Sequence, residues 1–223
     1  GMFFDYITIH ETGHEWFGNS ITSKDIADMW IHEGFTTYTE TVFIECVKGY
    51  DEAIKYVNGQ SRSVRNDRPV IAQFGVNKEG SGDMYYKGAL MLNTIRHIIN
   101  DDAKWWKLLY NYSETYKKQI IDTKTVIDYF NKESGLDLTS VFNQYLTTTK
   151  IPKLVLSKTG NKLSYEWQNV NTDFKMPVDI VINEKTIRLH PTTSKHETKI
   201  DKKIKLENIQ VKTNQFFIKV EKK

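Results

Sequence analysis

The apolar pattern changes period at Lys150-Ile151-Pro152, and this change constrains the fold more than any other feature of the chain. Before it, apolar residues recur three and four apart over long stretches; after it they alternate in short runs. The first period belongs to helices and the second to strands. Helices are predicted over residues 4–16, 26–47, 51–57, 84–99, 101–117, 123–132 and 138–146. Thr22, with Asp25 three residues on, reads as a capping box for the second helix, and Gly49 as its stop. Residues 59–83 are polar and glycine-punctuated with no clear period, and connections of that length are usually functional or mobile. Strands are predicted over 154–156, 163–167, 178–182, 186–189, 204–206 and 216–220, with turns at Thr159-Gly160-Asn161, Asn183 and Pro191. Strands so short and so spaced predict a small antiparallel sandwich. The expected fold class is therefore α+β, with a helical region over 1–150 and a β-sandwich over 151–223.

Composition narrows the function classes. An apolar fraction of 39% and an aromatic fraction of 13% suffice for a packed core and argue against a disordered chain. No run of 18 apolar residues occurs, so no membrane span is expected. Cys46 is alone, which excludes an internal disulfide framework. Charge is uneven: residues 1–150 hold 16 Lys+Arg against 20 Asp+Glu, whereas 151–223 hold 15 against 8. The lysines of the basic half are spread along alternating segments, as on a solvated strand face, and no nucleic-acid partner is predicted.

The chemistry-bearing segment is His10-Glu11-Thr12-Gly13-His14. On a helix, positions four apart share a face, so two imidazole nitrogens can reach one ion. Glu11 lies about 100° around the axis, poorly placed as a ligand but well placed to take a proton from water. Three fixed positions recur by chance, and an ordinary helix with two surface histidines is the competing reading. Glu33, separated from His14 by eighteen intervening residues and set among Trp30, Ile31 and Phe35, supplies a candidate third ligand, because a buried carboxylate needs a partner or a cation. Tyr85, at a predicted helix start after the glycine-rich loop, can donate a hydrogen bond to an oxyanion. Glu40 shares a helix face with Glu33 and is a candidate acceptor for the second ring N–H of a ligand histidine. A Tyr pair is often only core, and a helix glutamate only solvated.

Taken together, these motifs resemble those of the M1 family of zinc aminopeptidases, the gluzincins related to aminopeptidase N and leukotriene A4 hydrolase. The resemblance rests on the two-histidine motif followed, after eighteen intervening residues, by Glu33, on Trp16-Phe17-Gly18-Asn19, on Glu33-Gly34-Phe35 and on Tyr85-Tyr86-Lys87-Gly88. It implies the helical half of a thermolysin-like zinc peptidase domain followed by a small sandwich. It further implies one Zn2+ per chain held by His10, His14 and Glu33, Glu11 as general base, Tyr85 on the transition state, and peptide substrates cleaved at the amino terminus. His32 stands where the family often has asparagine, and reads as a packing histidine rather than a ligand.

The family's acidic Gly-x-Met-Glu-Asn segment, which grips the substrate amine, does not occur in this sequence. Gly1-Met2 also reads as an artificial leader joined to the interior of a helix. The chain therefore reads as a carboxy-terminal piece of a larger enzyme, lacking its amino-terminal domain and weakly active or inactive alone. Two other readings stay open: a non-catalytic interaction module on a peptidase fold, and a zinc hydrolase acting on another substrate such as an epoxide.

Overall fold

The computed structural model describes residues 4–223; the expected leader at Gly1-Met2 lies outside the described residues. The fold is mixed helix and sheet. In the first 147 residues, α1 (Tyr6–Gly13), α2 (Trp30–Lys48), α3 (Tyr50–Gly59), α4 (Tyr86–Ile99), α5 (Asp102–Thr115), α6 (Thr123–Ser134) and α7 (Thr139–Thr147) dominate. Two three-residue strands, β1 (Ile21–Ser23) and β2 (Gln119–Ile121), pair in parallel between them. Sequence reading missed both, since three residues carry no measurable period.

Helix ends follow local chemistry. The Asp5 carboxylate accepts from the Ile7 and Thr8 backbone N–H groups and starts α1. That helix stops at Gly13, three residues short of the predicted end; the Glu15 and Trp16 N–H groups bond three residues back, to Thr12 and Gly13, in tighter turns before Gly18 (φ +144°) turns the chain back. The expected capping box is corrected as well. Thr22 lies in β1 and donates to the Gly18 carbonyl, while Asp25 itself caps a short 3-10 turn before α2. Gly49 (φ +89°) ends α2 as predicted and folds α3 back along it.

The long connection after α3 is pinned at several points. The Asp83 carboxylate accepts from the Arg65 and Asn66 N–H groups, and the Val70 and Ile71 N–H groups both reach the Leu146 carbonyl.

From residue 153 onward the regular structure is strand, apart from one 3-10 turn at Leu206–Asn208. One sheet holds β7 (His196–Lys199), β4 (Lys162–Gln168), β3 (Lys153–Thr159) and β9 (Lys219–Lys222), in that order. The other holds β6 (Lys185–Leu189), β5 (Val178–Ile182) and β8 (Gln210–Val211). The Asn183-Glu184 turn, with both residues at positive φ, closes the β5–β6 hairpin. Two details correct the prediction. β9 runs parallel to β3, so the pairing is not wholly antiparallel. Residues 204–206 form no strand, and the polar edge strand β7 replaces them.

The core crosses from helices to sheets without a break: Trp30, Phe35, Trp105, Leu154, Trp167 and Ile180 belong to one buried cluster. Among the described residues, no helix is long and apolar enough to cross a membrane.

Candidate metal centre

Two glycines let three helices approach closely enough to assemble the site. A Cβ on Gly13 would sit 3.1 Å from Thr36 Cγ2, so α1 lies tight against α2 at that point. A Cβ on Gly88 would sit 2.8 Å from Gly34 Cα, closer than real side chains come, so α4 crosses α2 backbone to backbone. The first contact brings His10 and His14 over Glu33. The second places Tyr85, the residue preceding α4, beside the same carboxylate.

His10 Nε2 lies 3.3 Å from Glu33 Oε2, and His14 Nε2 lies 3.4 Å from the same oxygen. The two rings meet edge to face with centroids 4.9 Å apart. These three residues offer ligand atoms that all lie within 4.8 Å of one another.

The other ring nitrogens are occupied. His14 Nδ1 donates to the Phe17 carbonyl at 3.0 Å, a bond made possible by the turn through Trp16-Phe17-Gly18-Asn19. His10 Nδ1 lies 2.8 Å from Glu40 Oε1. With each Nδ1 carrying its hydrogen, both Nε2 lone pairs and a carboxylate oxygen face one another. In the neutral rings, three acceptors that converge in this way are suited to hold a cation between them.

Without a cation there, a second proton on the His10 ring supplies the positive charge that the two carboxylates favour. Burial pushes the His10 imidazole down, but hydrogen bonds to Glu33 and Glu40 more than offset it and raise the ring to about 9. Burial, then the charge and hydrogen bond of Glu33, push the Tyr85 phenol up to about 12, so it remains a donor at neutral pH. Glu33 and Glu40 are 8% and 4% exposed, whereas Glu11 is open to solvent.

A cavity of about 740 Å3 opens on this cluster and is lined by His10, Glu11, Glu40, Tyr56 and Tyr85 among others. All six residues singled out from sequence therefore lie at the cluster or on the cavity beside it. His32 turns away, its Nε2 accepting the Ser23 N–H at 2.8 Å, as expected of a packing histidine. Sequence reading missed Tyr56, whose hydroxyl donates to Glu40, and the Phe17 carbonyl. No local signal marks either, since one lies across the Gly49 turn and the other is backbone.

Residues 4–145 match the Peptidase family M1 domain. The chain belongs to peptidase family M1. Among curated relatives, it is 24% identical to Probable aminopeptidase 2 of Sulfurisphaera tokodaii, over 95% of this chain and 29% of that protein. It is likewise 24% identical to Tricorn protease-interacting factor F2 of Thermoplasma volcanium, over 90% of this chain and 28% of that one. The chain thus spans under a third of the length of these relatives.

Two solved structures share the fold. Legionella pneumophila aminopeptidase A, in complex with aspartic acid, aligns with a TM-score of 0.73 at 14% identity, covering 97% of this chain and 26% of its own. An M1 zinc metallopeptidase from Deinococcus radiodurans, bound to a Tyr-Ser-Ala substrate, aligns with a TM-score of 0.57 at 24% identity, covering 67% and 34%.

Proposed function

We propose that this chain carries the zinc-binding and proton-transfer machinery of an aminopeptidase, with His10, His14 and Glu33 as the metal ligands. The observation that carries the reading is the convergence of two imidazole Nε2 atoms on Glu33 Oε2 at 3.3 and 3.4 Å, with both Nδ1 atoms tied to acceptors. Membership of family M1 and a zinc metallopeptidase among the structural neighbours support zinc as the ion.

When bound, zinc supplies Lewis acidity that lowers the pKa of a water toward about 7. The exposed Glu11 carboxylate, at the cavity wall beside His10, takes the proton of the attacking water and passes it to the leaving amine nitrogen. Tyr85, protonated at neutral pH, donates a hydrogen bond to the oxyanion that develops on the substrate carbonyl. Glu40 fixes the tautomer of His10. Peptides with a free amino terminus are the substrate class, in keeping with the relatives named aminopeptidases.

We further read residues 1–150 as the helical catalytic subdomain and 151–223 as the small β-sandwich. The two sheets support this reading, since both turn apolar residues into a shared core.

Metal analysis of the chain purified without added zinc should find one zinc per chain. In the catalytically active enzyme, Glu11→Gln should retain that zinc and lose at least about a hundredfold in turnover. Near-normal turnover would remove Glu11 from the role of base.

A further inference from the structure

The hydrogen-bond chain leading from the metal centre does not stop at Glu40. Glu40 Oε1 takes His10 Nδ1 at 2.8 Å, and the Tyr56 hydroxyl donates to Glu40 Oε2. Both oxygens of a carboxylate that is only 4% exposed are thereby engaged, one by an imidazole and one by a phenol. Burial and the adjacent Glu40 carboxylate hold the Tyr56 phenol well above its ordinary range, so it acts as the donor. Tyr56 sits on α3, which contributes no candidate ligand. The Gly49 turn folds α3 against α2 so that residue 56 meets residue 40. The Tyr56 ring is braced edge-on by Phe4, with centroids 5.8 Å apart.

We propose that Tyr56 is a positioning residue of the metal centre: by holding the second oxygen of Glu40 it fixes the plane and the Nδ1–H tautomer of His10, and so the affinity for zinc. This inference rests on reading His10, His14 and Glu33 as the ligands. Its physical basis is that a carboxylate held at one oxygen only can pivot about its terminal torsion, whereas one held at both cannot. An imidazole bound to a pivoting acceptor has no fixed direction for its Nε2 lone pair. Groups in this outer position typically change metal affinity by about 10–100-fold.

The test is zinc affinity of the 223-residue chain, measured by chelator competition and so independent of turnover. Tyr56→Phe should raise the zinc dissociation constant about tenfold, at the low end of that range. Glu40→Gln should do at least as much. Adding Tyr56→Phe to Glu40→Gln should change it less than about twofold, because the phenol acts only through that carboxylate. Tyr86→Phe, on the wall of the same cavity but outside the chain of bonds, should bind zinc as the parent does.

An unchanged constant in Tyr56→Phe overturns the proposal. So does a second tenfold loss in the Glu40→Gln background, which would mark a general loss of structure. His10→Ala separates the two levels. If it binds zinc as tightly as the parent, the ligand assignment itself falls; if it loses zinc while Tyr56→Phe does not, only the role of Tyr56 falls. Should Tyr56→Phe not fold, imidazole nitrogen NMR of the zinc-loaded parent decides. His10 with its hydrogen on Nδ1 is expected, and zinc on Nδ1 overturns the proposal.

Discussion

Two enclosed imidazoles in this protein are driven in opposite directions. At His10 the hydrogen bonds of two buried carboxylates exceed the cost of burial, and the ring rises to about 9. At His97 burial dominates. Its Nδ1 hydrogen goes to the Asn93 carbonyl at 2.7 Å, its Nε2 accepts from the Tyr50 hydroxyl at 2.8 Å, and the ring falls to about 4. His10 is thus a site built for positive charge, and His97 a neutral structural bridge. The unfolded chain binds a proton at residue 97 near pH 6.5 and the folded chain only near pH 4, so stability falls as pH drops between those values. The linked loss is about 3 kcal/mol at the low end of that window. Denaturant midpoints measured from pH 7 to pH 4 should fall more steeply in the parent than in His97→Gln. Parallel curves would show that residue 97 is not the group responsible.

Between elements, the decisive contact is the crossing of α2 and α4 at Gly34 and Gly88. It explains why a glycine follows the candidate ligand in Glu33-Gly34-Phe35 and another closes Tyr85-Tyr86-Lys87-Gly88. A Cβ at residue 88 would meet the Gly34 backbone at 2.8 Å and force a shift, whereas one at residue 34 would be tight, 3.2 Å from the Met84 carbonyl oxygen. Gly88→Ala puts a methyl 2.8 Å from the Gly34 Cα, against backbone that cannot swing aside. Overpacking of this kind costs about 1–3 kcal/mol. Chemical denaturation should show that loss, whereas Gly59→Ala, which meets open space at the end of α3, should be neutral or slightly stabilising. Equal effects at the two positions would contradict the close-packed crossing.

The sheets are fastened to the helical half at several points across the molecule. Arg188 on β6 donates to the His97 and Ile98 carbonyls at the end of α4 while paired with Asp179 on β5. Tyr145 on α7 donates to the Phe217 carbonyl, and the Phe217 N–H reaches Thr94 on α4. The change of secondary structure near residue 150 is therefore not a mechanical break, since polar bonds and a common core span it. Arg188→Ala would leave Asp179, 5% exposed, as an uncompensated buried charge, at a cost of about 3–5 kcal/mol. Helix and strand signals in circular dichroism should still melt together, at a lower midpoint. Two separate transitions would show that the halves unfold independently.

Periodicity alone placed the long helices and the two-part order of the chain, because a face buried over several turns must repeat its apolar residues. The motif spacing likewise named the six residues that meet at the cluster or line the cavity beside it, because ligand chemistry tolerates few residue types and a helix fixes which of them share a face. What remained invisible was whatever depends on backbone or distant partners. β1 and β2 are too short for a period, β7 pairs through polar residues, and β9 chose a parallel neighbour that no local pattern specifies. The Phe17 carbonyl and Tyr56 became part of the site only when Gly18 and Gly49 turned the chain back on itself. Residue type decided which groups can hold a cation. The tertiary fold decided their distances, their tautomers and their charge, since these depend on what the folded chain brings within hydrogen-bonding range.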